Sequence, residues 1–184
     1  MRTARPRLAA AMLAAIALFA LAACGRVAVI NPPREKPVEL DGVYQGTVSV
    51  SLSTTTDLVR EEREETGDCT KYFERSVKVR DCRRALYGWY RNPEGDLTVM
   101  LQLYEMEDVD ASVQLVTDVL GGDSVGFYEG AWNSSDRTGR YALSMWVLDP
   151  DGRELEGERK DRAQQLAFAV EFWFKPRVEE LTGL

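Results

Sequence analysis

The chain has 184 residues, 45% of them hydrophobic and 29% charged, with a formal charge of −7 and no histidine. The acidity opposes nucleic acid and anionic lipid headgroups by repulsion. The missing histidine removes Ser-His-Asp and Cys-His nucleophilic sites, histidine zinc sites and histidine acid–base catalysis, and no cofactor or metal is expected.

The first seven residues carry Arg2, Arg5 and Arg7 and no acid. Residues 8–21 are an unbroken apolar run, and Ala22 and Ala23 then precede Cys24. A positive flank, an apolar stretch of about 7–15 residues and a small-residue cleavage site make an export signal. A spanning helix needs about 20 apolar residues, so this run is too short to remain as one.

Leu21-Ala22-Ala23-Cys24 resembles the lipobox of bacterial lipoproteins. The resemblance implies cleavage after Ala23 and a thioether from the Cys24 sulfur to diacylglycerol, often with acylation of the new amino group. It also implies a location on a bacterial membrane, facing the periplasm or the cell exterior. It extends over the leader alone and says nothing of the remainder. Gly25 stands where an inner-membrane retention signal would have Asp. Cleavage removes three arginines and no acid, taking the charge from −7 to −10. Membrane contact is therefore expected through lipid rather than through a basic patch.

The expected organisation is a leader over 1–23, a Pro-bearing lipidated tether over 24–37 and a single domain over 38–184. With Cys24 committed to lipid, Cys69 and Cys82 form an even pair, for which a disulfide is the natural outcome outside the cytoplasm. Their spacing differs from the Cys-x-x-Cys of redox-active pairs. The bridge closes fourteen residues, 69 through 82 inclusive, and is worth about 3 kcal/mol in the chain-entropy model.

Within the domain, 44–53 alternates apolar and polar and predicts a half-buried strand. Residues 57–68, with Glu61, Glu62, Glu64 and Glu65, predict an exposed helical turn or a loop. Val77 and Val79 fit a short strand over 76–80. Strands over 84–91 and 97–105 flank a reversing turn, Asn92-Pro93-Glu94-Gly95-Asp96. The first of these has apolar residues on both faces: either both are covered or an aromatic one is left open.

Asp108 predicts the N-cap of a helix to Leu120 with Val109, Val113, Val116 and Leu120 inward, stopped by Gly121-Gly122. Strands are predicted over 125–132 and 140–148, joined by the polar link 133–139. A final helix over 155–174 carries the stripe Ala163, Leu166, Ala167, Val170 and Phe174, and Pro176 ends it or starts a short last turn. The fold class is α+β: an antiparallel sheet of about five to six strands with two amphipathic helices packed on one face.

Three clusters invite chemistry. Glu105, Glu107, Asp108 and Asp110 crowd a strand–helix junction, where capping explains them without a substrate. Asp149-Pro150-Asp151-Gly152 lacks the further ligands of a calcium loop and reads as a tight turn. Among the aromatic residues Tyr87, Trp89, Tyr90, Trp132, Trp146 and Trp173, the tryptophans Trp89, Trp132 and Trp146 are the candidates to wall a groove. Core packing is the competing role for all of them.

The leading expectation is a lipid-anchored envelope protein with a non-catalytic binding or structural role. Its partners would be the membrane through its lipid and an envelope protein, glycan or apolar ligand. A carrier of an apolar ligand is the second reading, and a histidine-free hydrolase using two carboxylates the third.

Overall fold

Every residue of the two strands Thr98–Met106 (β4) and Tyr141–Leu148 (β6) is buried, so the sheet is built outward from a pair covered on both faces. The computed structural model describes residues 36–51, 54–73, 77–120 and 132–184, all within the compact unit Glu35–Leu184. Among them a six-stranded antiparallel sheet runs in the order β1-β2-β3-β4-β6-β5. The other strands are Thr47–Ser51 (β1), Thr55–Thr66 (β2), Cys82–Arg91 (β3) and Trp132–Thr138 (β5). The leader, Cys24 and the Gly121-Gly122 stop lie outside the described residues.

Strand alternation sorts the core into two layers. Val48, Val50, Leu58, Leu86, Tyr90, Leu101 and Met145 share one layer with Ala163, Leu166, Val170, Phe174 and Val178 of the long helix Gly157–Thr182. The other layer holds Tyr87, Met100, Tyr104, Met106 and Trp146 with Ala111, Leu115 and Leu120. These last three belong to the helix Val109–Gln114 and the π-helical turn Leu115–Leu120 that continues it. The expectation of both helices on one face is thus corrected. Residues 84–91 and 97–105 carry large apolar groups on both sides, and each side recruits its own helix.

Three local expectations also change. The charged stretch expected as a helical turn or loop is β2, twelve residues long. It pairs with β3 from Val59 to Thr66, with a bulge between Arg60 and Glu62, while its pairing with β1 ends at Val59. Its charges are therefore those of an edge, which blunts strand-to-strand association. Cross-strand pairs Arg91–Glu61 at 2.5 Å and Arg84–Glu65 at 2.8 Å offset one another's charge. The polar link 133–139 is most of β5, the opposite edge, whose Ser134 and Asp136 bond Glu171 and Lys175 of the long helix. Residues 77–80 carry no strand.

Pro176 lies inside the long helix rather than ending it. The missing N–H leaves the Phe172 carbonyl without its helical donor, and both residues are exposed. The predicted stripe of that helix is buried as expected. In the shorter helix Val109 is exposed while Ala111 and Ser112 are buried. Asp108 does cap it, accepting from the Ala111 amide at 2.8 Å. Cys69 and Cys82 are disulfide-bonded, with Cα atoms 6.4 Å apart, and tie the segment after β2 to the start of β3.

A short helical turn, Leu40–Val43 (α1), precedes β1 and delivers Tyr44 onto the sheet; the shorter helix is hereafter α2 and the long one α3. Tyr44 is fully buried, and its hydroxyl donates to the carbonyls of Leu86 at 2.7 Å and Leu101 at 3.2 Å. It fits because residue 88, between Leu86 and Tyr90 on that face, is glycine. A Cβ there would stand 2.5 Å from Tyr44 Cδ1. The expected outcome for Gly88→Ala is a loss of about 2–3 kcal/mol in urea unfolding, the usual scale of overpacking. Gly46→Ala, where a Cβ meets nothing within 4 Å, should stay within about 0.5 kcal/mol of the parent. Equal losses at the two sites would contradict the fit.

Candidate functional site

A groove of about 220 Å³ opens where the β1–β2 end, the β3–β4 turn and the first half of α3 meet. Its floor is apolar: Val50, Leu97, Leu166 and Ala169. Its walls are Thr54, Thr56, Asn92, Glu94, Arg162 and Gln165. A helix whose inward face is Leu166 and Ala169 necessarily turns Arg162 and Gln165 toward the rim, because residues three or four apart share a helix face.

The wall is held by a polar network. Asn92 Oδ1 accepts from the Leu97 amide at 2.9 Å, and its Nδ2 donates to Glu94 and Asp96, each at 2.8 Å. Arg162 donates to the same Asp96 carboxylate. Arg159 donates to the Asp96 carbonyl at 3.1 Å and to the buried carboxylate of Asp149. Asp149 also accepts from the Asp151 amide at 2.7 Å and from Arg153. The β3–β4 turn, the turn after β6 and the first turns of α3 are thereby fixed together.

These partners set the charge states. Burial alone raises the Asp149 carboxyl, but the hydrogen bonds from Arg159, the Asp151 amide and Arg153 outweigh it and hold it well below the usual carboxylate range. The Asn92 amide, against some burial and with help from Arg162, lowers Asp96. Both groups are ionised throughout the neutral range, so the two cations beside the groove are already engaged.

The candidate tryptophans do not converge. Trp146 is buried, its indole N–H donating to Ser144 Oγ at 3.1 Å. Trp89 is half-buried in the same layer, 5.4 Å from the Tyr72 ring and 6.0 Å from that of Tyr87. The register sets Met100 opposite both Trp89 and Trp146. Trp132 belongs to the other layer, where its ring lies 6.1 Å from Phe168. Trp89 and Trp146 pack on one face of the sheet and Trp132 on the other, and none of the three lines the groove.

The acidic junction is structural as well. Glu105 is buried and bound by Arg84 at 2.7 Å and Arg140 at 2.8 Å. Glu107 pairs with Arg83 at 2.8 Å, and Asp108 is the helix cap. In 149–152 the Asp149 side chain bonds the chain two residues on, and Gly152 takes φ 74°, as a tight turn requires. Among the described residues no group of three acidic or cysteine side chains is placed to hold a metal ion.

Sequence reasoning missed Asn92, Arg159, Arg162 and Gln165. Asn92 opens the predicted turn, which was a usable signal. The arginines lie at i and i+3 in the polar opening turns of a helix, residues 157–162, where nothing in the pattern marks them. Comparison with known proteins gives no match: no family model, no curated protein and no solved structure matches the chain.

Acid stability reads the network directly. Asp149 and Asp96 are lowered in the fold, so their contribution is whole above the unfolded carboxylate value of about 3.9 and is lost as pH falls below it. The urea midpoint should hold steady from pH 7 to about 5 and fall steeply below about 4. Asp149→Asn should lower the midpoint at pH 7 and flatten that acid limb. An unchanged limb in the variant would remove Asp149 from the account.

Proposed function

We propose that this protein is a lipid-anchored, non-catalytic binding module of a bacterial envelope. Residues 1–23 direct export, Cys24 carries the lipid, and 24–37 tether the domain to the bilayer surface. The groove takes an uncharged, hydroxyl-rich ligand of the envelope, a glycan unit. The disulfide supports an oxidising compartment.

One observation carries the binding reading: an apolar floor of Val50, Leu97, Leu166 and Ala169 is rimmed by amide and hydroxyl groups and by the Glu94 carboxylate, while the rim cation Arg162 is matched internally by Asp96. A sugar ring has the same division, with C–H faces and a hydroxyl edge. An anionic ligand would have to break the Arg162–Asp96 pair, and a wholly apolar one would leave the polar rim without partners; a hydroxyl can donate to Glu94 without disturbing either. At about 220 Å³ the space suits a single sugar ring rather than a large cofactor.

One preparation tests both halves. Mass spectrometry of the mature protein should find an N-terminal Cys24 bearing diacylglycerol, and Cys24→Ser should lose membrane association. Titrating the same protein with N-acetylglucosamine should shift the amide resonances around Asn92 and Gln165. Gln165→Ala, at an exposed position, should weaken that binding several-fold without altering stability. An unlipidated N-terminus overturns the anchor, and a flat titration overturns the glycan site.

A further inference from the structure

The outer face of α3 changes character along its length. Its first half shows Glu158, Asp161 and Gln165 to solvent, and its second half shows Phe168, Phe172 and Pro176. Phe168 is 41% exposed and Phe172 71%, four residues apart and so one above the other on the same face. Of the charges beside it, Lys175 bonds Asp136 at 2.6 Å, Arg177 bonds Glu180 at 2.7 Å, and Glu171 accepts from the Ser134 hydroxyl at 3.1 Å. With both basic side chains engaged by carboxylates, the exposed rings are the groups on this face that gain from leaving water.

The tether ends beside this half of the helix. The Lys36 amide donates to the carbonyl of Thr182, the last residue of α3, at 3.1 Å. Tyr141 holds the Lys36 carbonyl at 3.0 Å. Phe172 lies ten residues back from Thr182, about 15 Å along the axis. The twelve residues from Cys24 to Lys36 reach at most about 40 Å when fully extended. A lipid on Cys24 therefore keeps the end of α3 within about 40 Å of the bilayer surface, and the Phe172 end of the helix is the tether-proximal one.

We propose that the Phe168–Phe172 stripe is a second membrane contact, seated in the interfacial region of the bilayer to which Cys24 is anchored. This rests on the lipid-anchor reading above. Lipid on Cys24 supplies attachment, and the stripe supplies orientation: α3 lies with its C-terminal half toward the lipid. The two rings expose on the order of 200 Å², well below the roughly 800 Å² per partner of a standard protein interface, which favours lipid over a second copy of the chain.

The test uses the mature lipidated protein in neutral phosphatidylcholine vesicles. With Cys24 acylated and Cys69–Cys82 oxidised, Phe172→Cys supplies one free thiol for an environment-sensitive fluorophore. Thr47→Cys, exposed on β1, is the control. The label at 172 should shift to the blue and be quenched by spin-labelled lipid, while that at 47 does neither. If the protein floats with vesicles but 172 reads as water-exposed, the stripe proposal fails and the anchor stands. A blue shift at 172 without lipid quenching means protein covers it, and the proposal fails. If the protein does not float at all, anchor and stripe fail together.

Discussion

A tyrosine ring lying against a glycine organises this domain. Gly88 leaves a gap in the middle of β3, and Tyr44 fills it with its hydroxyl on two strand carbonyls. Phe174 of α3 stacks on the other side of that ring at 6.3 Å. The residues around Tyr44 are drawn in with it. Arg60 bonds the Tyr44 carbonyl, Tyr90 the Gln45 carbonyl at 3.0 Å, Arg84 the Val38 carbonyl at 2.7 Å and Arg177 the Gly42 carbonyl. An N-terminal stretch of few apolar residues is thereby fixed by side chains from β2, β3 and α3. Each takes a backbone carbonyl that would otherwise need water.

This fixes what the domain can present. With 36–46 clamped, the end of the tether and the end of α3 are one place in the molecule. The opposite half of α3, held by Arg159 and Arg162, builds the groove with the β3–β4 turn. One helix therefore carries the groove lining from Arg162 to Ala169 and, adjoining it, the exposed rings of Phe168 and Phe172. Binding and orientation are properties of the same rigid element, which is why changes at Asp149 or Asp96 would be felt at the groove without touching its floor.

Much of this fold was legible in the sequence, for reasons that differ by element. The stripe Ala163 to Phe174 has helical spacing and is buried as read. The alternation of 97–105 and 140–148 is so apolar that few other assignments remain. The disulfide followed from parity once Cys24 was set apart. Misreadings occurred where polar side chains form edges. Glu61 to Glu65 looked like solvated loop because strand propensity is a statement about packing, and here cross-strand arginines supply the partners. Residues 133–139 looked like a link because β5 makes its contacts through Ser134 and Asp136 to a helix distant in sequence. The groove was hidden for a related reason: Asn92, Arg162 and Gln165 are brought together by topology, and no local pattern joins them.

Amide hydrogen exchange at 40–46 tests the central claim most directly. If Tyr44 on Gly88 locks this stretch to the sheet, the hydrogen-bonded amides of Val43 and Tyr44 exchange only with global unfolding, at the same free energy as amides of β3 and β4. Were they to exchange as a fraying terminus while β3 and β4 stayed protected, the stretch would be an appendage. Neither the shared end of tether and helix nor the orientation drawn from it would then hold.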